Sequence, residues 1–375
     1  MQILPIAQKL LIFAQILSIF YSIYYCLIVF MFDFAAISTL PIILLLAAIG
    51  LICLIFKKKW IGLFVLLCSF AFNYYTESIP LNPLNLISFD TKGKEFKILT
   101  YNMYSASDYY RSVKDNPRDF SAFLLEQDAD VIVLEEYYPD LCLALRDSLL
   151  KTYPYMEYQK QHCSNAVFSK YPLTNWKEME IRLDEDAADL HKFTRAKNLD
   201  DLRQMARFRY NASVTVNLPN DSIRLISCHL ASNHYDQVRE VQGDSVPLKE
   251  RVKTYMKCVA AGNLEREVEA KYIMEEVMEY RAKGVKTIVL GDMNAVPGSP
   301  PIRTMRSGDL LRNGWWEKGF GPGLTFHSHH VMHFRLDHVL HTRDIILKKI
   351  GVANVDYSDH KPVIAEFVIP VPAES

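Results

Sequence analysis

Charge is distributed very unevenly along this chain, and that distribution limits what the chain can fold into. Residues 1–90 carry seven charged side chains, whereas the other 285 residues carry 38 basic and 40 acidic ones. The pattern excludes a purely soluble globule, a disordered chain and a collagen-like fibre. A formal net charge of −1 also argues against a protein that binds nucleic acid through bulk positive charge.

Three apolar runs near the start of the chain predict transmembrane helices. A bilayer core requires about 20 mostly apolar residues per helix, and residues 10–32 and 34–56 meet that length on either side of Asp33. Residues 61–75 form a shorter third run that ends in aromatic side chains. A cleavable signal peptide is the competing interpretation of the first run. That run, however, is too long, lacks a basic leader and is followed at once by more apolar sequence.

These runs also predict the domain organisation. We expect a three-helix transmembrane region over residues 1–77, a linker over 78–94 and a catalytic domain over 95–375. Three consecutive lysines, at positions 57 to 59, separate the second run from the third. The positive-inside rule places them in the cytoplasm, so the third helix runs outward. The sequence therefore predicts a multi-pass protein of a bacterial inner or plasma membrane, with a periplasmic or extracellular catalytic domain.

The catalytic part has the pattern of an α/β fold. From about residue 95 onward, short β-rich runs alternate with helical stretches, which is typical of layered α/β domains. An apolar stripe at helical spacing predicts a helix over residues 263–283, with Gly284 as its stop. Residues 234–261 are polar and helix-prone, and we interpret them as an insertion between strands.

Polar side chains follow the apolar strands repeatedly, at the point where each strand ends. Because strand ends form one rim in layered α/β folds, these side chains are expected to converge. Carboxylates with Asn and few thiols suit Mg²⁺, or Mn²⁺ in its place, rather than zinc. Such an ion with two histidines nearby suits the attack of water on a phosphate ester. The residues concerned are Asn102, Glu136, His229, Asp292, Asn294, Asp337, Asp359 and His360.

Six short motifs, in this order, resemble those of the endonuclease/exonuclease/phosphatase superfamily. They occupy residues 100–102, 130–136, 229–230, 291–294, 336–338 and 358–360. The resemblance covers about residues 95–370 and implies the four-layered αββα sandwich of the deoxyribonuclease I-like fold. The three-helix front end resembles the membrane-anchored branch of that superfamily. Glu135 stands where many members carry Gln, a mild departure that should leave the metal site intact.

The resemblance implies a metal site and the chemistry beside it. Glu136 would be the principal metal ligand, with Asn102 next to it holding metal or phosphate, and Asp359 would lie close to the metal. The resemblance also assigns Asp292 to orient or deprotonate the attacking water. Asn294 would steady the phosphoryl oxygens.

Two histidines complete the implied site. His229 would bind the phosphate and stabilise negative charge in the transition state. His360, polarised by Asp337, would form the second half of the histidine pair. A phosphodiester repels nucleophiles, so fixed positive charge and an aligned water are what the reaction requires.

Three further residues are candidates for contact with substrate. Asn165 precedes a strand and fits a turn equally well, and Asn233 follows His229 by four residues. Arg335 could meet an anionic substrate, although arginines near strand starts commonly form surface pairs. Histidines cluster between residues 327 and 333, where a solvated loop is a simpler interpretation than a second metal site.

Three functions compete at this point. The first is a membrane-anchored, Mg²⁺-dependent phosphoesterase acting on a lipid-linked or other envelope phosphate. The second is a nuclease that uses the same site on DNA or RNA, which the near-neutral charge does not favour. The third is an inactive, membrane-tethered binding module, which is weakened because every expected catalytic position holds a competent residue type.

Overall fold

The structure is a computed structural model that covers seven ranges of the chain. The described residues are 39–87, 92–104, 116–159, 164–179, 211–233, 246–328 and 332–370. The first predicted membrane run, residues 10–32, lies outside them. Helices and strands are numbered in chain order within the described ranges.

The chain begins with two helices that pack on each other. Helix α1 spans Thr39–Ile55 and helix α2 spans Lys59–Thr76, so the described parts of the second and third apolar runs are helical as expected. In the described part of the chain, however, none of the helices combines the length and the apolar composition that crossing a membrane demands. The prediction that these two runs span a bilayer is therefore not supported.

Helices and strands alternate through the rest of the chain. The further helices are α3 (Pro117–Glu126), α4 (Leu143–Leu149), α5 (Leu248–Ala282), α6 (Pro300–Arg306) and α7 (Gly314–Lys318). The first strands are β1 (Lys94–Asn102), β2 (Val131–Tyr137), β3 (Tyr155–Tyr158), β4 (Ser164–Ser169), β5 (Leu173–Glu178), β6 (Ala212–Leu218) and β7 (Asp221–His229). The later strands are β8 (Lys286–Asp292), β9 (Leu311–Asn313), β10 (Phe326–Ser328), β11 (Met332–Phe334), β12 (Asp337–Thr342), β13 (Ile346–Val352) and β14 (Val363–Ile369).

Two mixed six-stranded sheets carry the domain. The first has the order β13-β14-β1-β2-β4-β3 and the second the order β5-β6-β7-β8-β12-β9. Each has one parallel pair near its centre, β1 with β2 and β7 with β8. Parallel neighbours need a crossover connection, and helices α3 and α5 lie in these two crossovers. Strands β10 and β11 form a separate hairpin.

Three apolar cores define the layers. Ile98 and Val133 of the first sheet belong to one buried cluster with Leu225 and Leu290 of the second, so the sheets pack face to face. The outer face of the first sheet packs on α3 and α4, and that of the second on α5 and α6. Alternation along each strand explains this, because neighbouring side chains point to opposite faces. The result is the four-layered α/β arrangement that the sequence predicts.

Two segments differ from expectation. Helix α5 is 35 residues long and starts at Leu248, directly after Pro247, so much of the predicted insertion is the first part of this helix. The start of the predicted linker packs on the catalytic domain. The side chain of Asn73 bonds both backbone polar groups of Ile79 at 2.8 Å, and the amide of Gly321 donates to the carbonyl of Pro80 at 2.9 Å.

Candidate active site

Strand register places three predicted site residues in one row. His229, the last residue of β7, pairs with Asp292 of β8, and Asp292 pairs with Asp337 of β12. Because the three strands are adjacent, their side chains at this row share one end of the second sheet. The end of β1 lies opposite, since the amide nitrogen of Asn102 donates to the carboxylate of Asp292 at 3.0 Å. The two sheets thus contribute to one site.

An irregularity in the first sheet positions Glu136. The β2–β4 register shifts between Leu134 and Tyr137, and Glu136 has a φ of 53°. A non-glycine residue in this region of backbone space is strained, and such strain concentrates at functional sites. The side chain of Asn102, at the end of β1, donates to Oε1 of Glu136 at 3.2 Å, and the same oxygen lies 3.6 Å from Nε2 of His229 on the second sheet.

His229 lies between two carboxylates. Its Nε2 is 3.6 Å from Oε1 of Glu136 and 3.7 Å from Oδ2 of Asp292. The backbone amide of His229 donates to the side-chain oxygen of Asn211 at 3.0 Å, which fixes the end of β7. The imidazole is therefore held at the centre of the acidic group.

His360 is oriented by Asp337. Its Nδ1 lies 2.8 Å from Oδ2 of Asp337, and its Nε2 lies 3.5 Å from Oδ2 of Asp292. Burial by itself lowers the pKa of His360, but the carboxylates of Asp337 and Asp292 outweigh it and raise that pKa well above the ordinary value. This pairing favours a protonated imidazole that points at the same carboxylate as His229.

Asn294 contacts Asp292 from the turn that follows β8. Its backbone amide donates to Oδ1 of Asp292 at 2.8 Å, in a turn where Asn294 has a φ of 47°. Its side-chain nitrogen donates to the carbonyl of Leu230 at 2.9 Å and lies 3.2 Å from Oδ2 of Asp292. The residue therefore links the loop after β8 to the loop after β7.

The donor set suits a hard divalent cation. Burial raises the pKa of Asp359, and the neighbouring charges of Glu136 and Asp292 raise it further. Carboxylates gathered this closely repel one another, and oxygen ligands of this kind are what Mg²⁺ and Mn²⁺ bind. Glu136, Asp359 and Asn102 are the residues that would hold the ion.

A second grouping, of Asp292, Asp337 and His360, also has ligand atoms within 4.8 Å of one another. We give it less weight as a metal site because Asp337 and His360 are already hydrogen-bonded to each other. The contact is the geometry of a carboxylate that orients an imidazole. That Glu136, Asp359 and Asn102 hold the ion stays a prediction.

Glu135 lies beneath the site rather than in it. The side chain is fully buried, and the hydroxyl of Thr100 donates to its Oε1 at 2.6 Å. Burial raises its pKa well above the ordinary value. Gly291 has a φ of 122°, and a Cβ there would approach the same Oε1 to 2.8 Å, so the glycine makes room for this carboxyl group.

The three residues predicted to contact substrate lie in three different environments. Asn165 is buried between the sheets, where its amide nitrogen donates to the carbonyl of Ser227 at 3.0 Å. Asn233 faces α5, and a Cβ at Gly262 would come within 2.7 Å of its side-chain oxygen. Their substrate contacts remain predictions.

Arg335 has a structural role that its sequence position conceals. It is buried, and its guanidinium donates to the carbonyls of Glu77 at 2.9 Å and of Ser78 and Pro322 at 3.0 Å. Burial lowers its pKa to about 9. Because these carbonyls occupy its donors, the arginine holds the end of α2 against the domain instead of presenting charge to a phosphate.

Several residues that shape the site were not predicted. The hydroxyl of Ser358 donates to the carbonyl of Asn102 at 2.8 Å, and Phe326 packs on the His360 ring with 4.9 Å between centroids. On α5, Glu269 accepts from the amide of Ala231 at 2.8 Å, and Arg266 donates to the carbonyl of Ala231 at 2.7 Å. Only Ser358 had a sequence signal, since it opens the motif before His360.

The chain is similar to known proteins in family and in fold. Residues 99–360 match the model of the Endonuclease/Exonuclease/phosphatase family. Truncated TDP2 from Caenorhabditis elegans is 16% identical, with a TM-score of 0.52 over 74% of this chain and 100% of that one. A family protein from Bacteroides vulgatus is 12% identical, with a TM-score of 0.51 over 74% and 100%. A search of curated proteins finds no match.

Fold and family match together define a class of phosphoester hydrolases. The chain belongs to the endonuclease/exonuclease/phosphatase family. Its members hydrolyse phosphoester bonds, and the protein is a hydrolase of that kind. The family generally uses divalent metal ions, in agreement with the acidic and histidine residues gathered here.

Proposed function

We propose that the protein is a membrane-anchored, Mg²⁺-dependent phosphoesterase that hydrolyses a lipid-linked or other envelope phosphate, with Mn²⁺ able to replace Mg²⁺. The observation that carries this proposal is the inverted polarity of helix α2, which is joined to the domain that holds the site. The proposal adds a location and a substrate class to the family's chemistry.

Helix α2 buries small and polar groups and exposes apolar ones. Gly62, Ser69, Asn73 and Thr76 are the buried residues of α2. The hydroxyl of Ser69 donates to the carbonyl of Ile43 at 3.0 Å, as in helix pairs within lipid.

Close backbone contact gives the same indication. A Cβ on Gly62 would lie 2.8 Å from the carbonyl oxygen of Gly50, so the two helices approach through glycines. On the outer face of α2, Phe64, Leu67 and Phe70 are exposed. Exposed apolar groups of this number favour a lipid environment over water. We propose that the α1–α2 hairpin is embedded in a bilayer.

The residues of the site supply the steps of hydrolysis. A divalent ion held by Glu136, Asp359 and Asn102 would neutralise the phosphate charge and act as a Lewis acid. Asp292, whose carboxylate lies between His229 and His360, orients a water molecule and accepts its proton as the water oxygen bonds to phosphorus. The ester bond to the leaving group breaks, and the leaving oxygen takes a proton from solvent. Both histidines donate to the phosphoryl oxygens as negative charge develops. Asn294 holds the turn that carries Asp292.

Orientation and location follow from the lysines. Lys57 and Lys58 lie in the turn between α1 and α2, and both are exposed. The positive-inside rule then places this turn in the cytoplasm. We propose a multi-pass protein of a bacterial inner or plasma membrane whose catalytic domain faces the periplasm or the cell exterior.

A nuclease is the second candidate. TDP2 from D. rerio, complexed with a single-stranded DNA product, resembles this chain with a TM-score of 0.50 at 12% identity. The charges of the present chain favour DNA less, since the 285 residues after position 90 hold 38 basic and 40 acidic side chains. The Asp337–His360 pair argues against an inactive binding module, because a protein without catalysis does not require a carboxylate that orients an imidazole.

One experiment separates these functions. The full-length protein in detergent is offered phospholipids, a polyprenyl pyrophosphate and plasmid DNA, with Mg²⁺ or with EDTA. Asp292→Ala serves as the inactive variant, and Glu279→Ala, an exposed carboxylate on α5, as the matched control. We expect Mg²⁺-dependent turnover of a lipid phosphate in the wild type and in Glu279→Ala alone. Cleavage of DNA without any lipid turnover would contradict the proposal and establish the nuclease.

A further inference from the structure

The chain just after α2 turns its apolar side chains outward. Leu81, Leu84, Leu86 and Ile87 are between 48% and 66% exposed. Two asparagines lie among them: Asn82 is exposed, whereas Asn85 faces the protein and donates to the carbonyls of Gly319 at 3.0 Å and Trp316 at 3.3 Å. A surface turn in water normally has the reverse arrangement, with the amide outside and the leucines inside.

Hydrogen bonds hold this inverted arrangement in place. Asn82 caps the short 3₁₀ helix Pro83–Leu86 by accepting from the amide of Leu84 at 3.1 Å. The Pro80 carbonyl accepts from the amide of Gly321. The preceding residue, Phe320, is 47% exposed. The exposure therefore belongs to the folded structure and does not come from a loose segment.

The same surface continues from the hairpin. Asn73 of α2 bonds Ile79 through both of its side-chain polar atoms, and Tyr74 packs edge-on against Trp316 with 5.9 Å between centroids. No charged residue occurs from Ser78 to Phe89 in the sequence. An acidic or basic partner has nothing to pair with there, whereas an apolar phase does.

We propose that Leu81, Leu84, Leu86, Ile87 and Phe320 form an apolar patch that rests in the bilayer, at the boundary between headgroups and acyl chains. The occupant is the lipid bilayer itself. The patch gives the catalytic domain a second contact with the membrane, beside the hairpin, and so fixes how the domain faces it. The inference rests on the membrane placement of the hairpin proposed above.

The test measures lipid contact at single positions and needs no substrate. An environment-sensitive fluorescent amino acid replaces Leu84, Phe70 or Leu143 in separate samples of the full chain. Phe70 reports on the hairpin, and Leu143, at the start of α4, is an exposed leucine of the outer helical layer. Each protein is placed in phosphatidylcholine vesicles or in matched vesicles brominated near the headgroup.

We expect the brominated lipid to lower the fluorescence at positions 70 and 84 by about half, as for side chains buried at the boundary of headgroups and acyl chains. Position 143 should not change. Quenching at 70 without quenching at 84 would overturn the patch and leave the anchored hairpin standing. Absence of quenching at both would overturn both proposals.

A second measurement tests whether another segment of the chain, rather than lipid, covers the patch. A photo-cross-linking amino acid at position 84 should label lipid in the same vesicles. Cross-links from position 84 to residues 1–38, with no lipid adduct, would show that this segment is the occupant and would overturn the inference. Because Leu84 is exposed and far from the catalytic residues in sequence, the replacement is not expected to unfold the domain.

Discussion

The two ends of strand β7 both bury charge, and they do so in opposite ways. At the first end, the guanidinium of Arg224 is fully buried and lies 2.6 Å from Oε1 of Glu276 on α5. The hydroxyl of Ser213 also donates to this carboxylate, at 2.8 Å. Burial raises the pKa of Glu276, but hydrogen bonds from Lys177, Arg224 and Ser213 outweigh it, and the pKa is lowered overall.

At the other end of β7 the balance is different. His229 and His360 face the carboxylates of Glu136, Asp292 and Asp337 at distances from 2.8 to 3.7 Å. Here the acids outnumber the bases. A buried carboxylate whose charge is compensated by bases stabilises the fold. An excess of buried carboxylate can instead bind a cation or accept a proton. Substitutions at each end should therefore separate stability from activity.

The largest expected effect is on catalysis. Replacing Asp292 by Asn removes the proton acceptor between the two histidines and should lower kcat by up to about 10⁴-fold. The thermal midpoint should fall modestly without loss of the fold, because the amide keeps the contact with the backbone of Asn294 but no longer offers a charged acceptor to the side chains of Asn102 and Asn294. Turnover with saturating Mg²⁺ and a thermal melt on the same sample measure both. Near-normal turnover in Asp292→Asn would remove this residue from the mechanism.

The opposite end should give the opposite result. Glu276→Ala leaves Arg224 buried without its carboxylate and should cost about 3–5 kcal/mol of unfolding free energy. Activity per folded molecule should stay the same. Glu279→Ala, one turn further along α5 and exposed, is the control and should cost less than about 1 kcal/mol. Equal losses in the two variants would contradict the comparison.

A third prediction concerns two buried histidines whose pKa values shift in opposite directions. His338 is buried beside Ala295, and burial together with Arg335 lowers its pKa to about 4, whereas the pKa of His360 is raised. In the unfolded chain His338 binds a proton near pH 6.5, whereas in the folded protein it stays neutral until about pH 4. The protein is therefore most stable above pH 6.5, and its free energy of unfolding decreases as pH falls towards 4. The loss amounts to about 3 kcal/mol. Denaturant melts across this range should show a flatter profile in His338→Gln.

The smallest effect tests the support of the site. Glu269→Ala frees the amide of Ala231, and the loop that bonds Asn294 through Leu230 should loosen. We expect kcat to fall about tenfold with little change in KM, since chemistry depends on alignment more than binding does. Glu269→Gln keeps an acceptor oxygen and should restore most of the rate. Failure of the glutamine to rescue would make Glu269 a purely structural residue.

Much of the site could be predicted because strands alternate and end in recognisable side chains. Asn102, Glu136, His229 and Asp292 each follow an apolar run, and one rim brings them together. What the sequence did not reveal was the register, which sets His229, Asp292 and Asp337 in one row. Register depends on hydrogen bonds between strands that lie far apart in the chain.

The errors have the same origin. Arg335 looked like a substrate contact because Glu77 and Ser78, which bind its guanidinium, lie more than 250 residues earlier. Helix α5 looked shorter because the apolar stripe starts only at Leu264, although helical structure begins at Leu248. Propensity carries local information, whereas burial and partners are properties of the whole fold.

The contact between Gly298 and α2 sets a condition on how this architecture can vary. Gly298, four residues after Asn294, has a φ of 78°, and a Cβ there would lie 2.7 Å from the Cβ of Thr76. No side chain is intermediate between glycine and alanine, so gradual substitution has no small step at this position. A descendant that lost this glycine would have to move the end of α2 away from the loop after Asn294, so the helices would meet the catalytic domain at another angle.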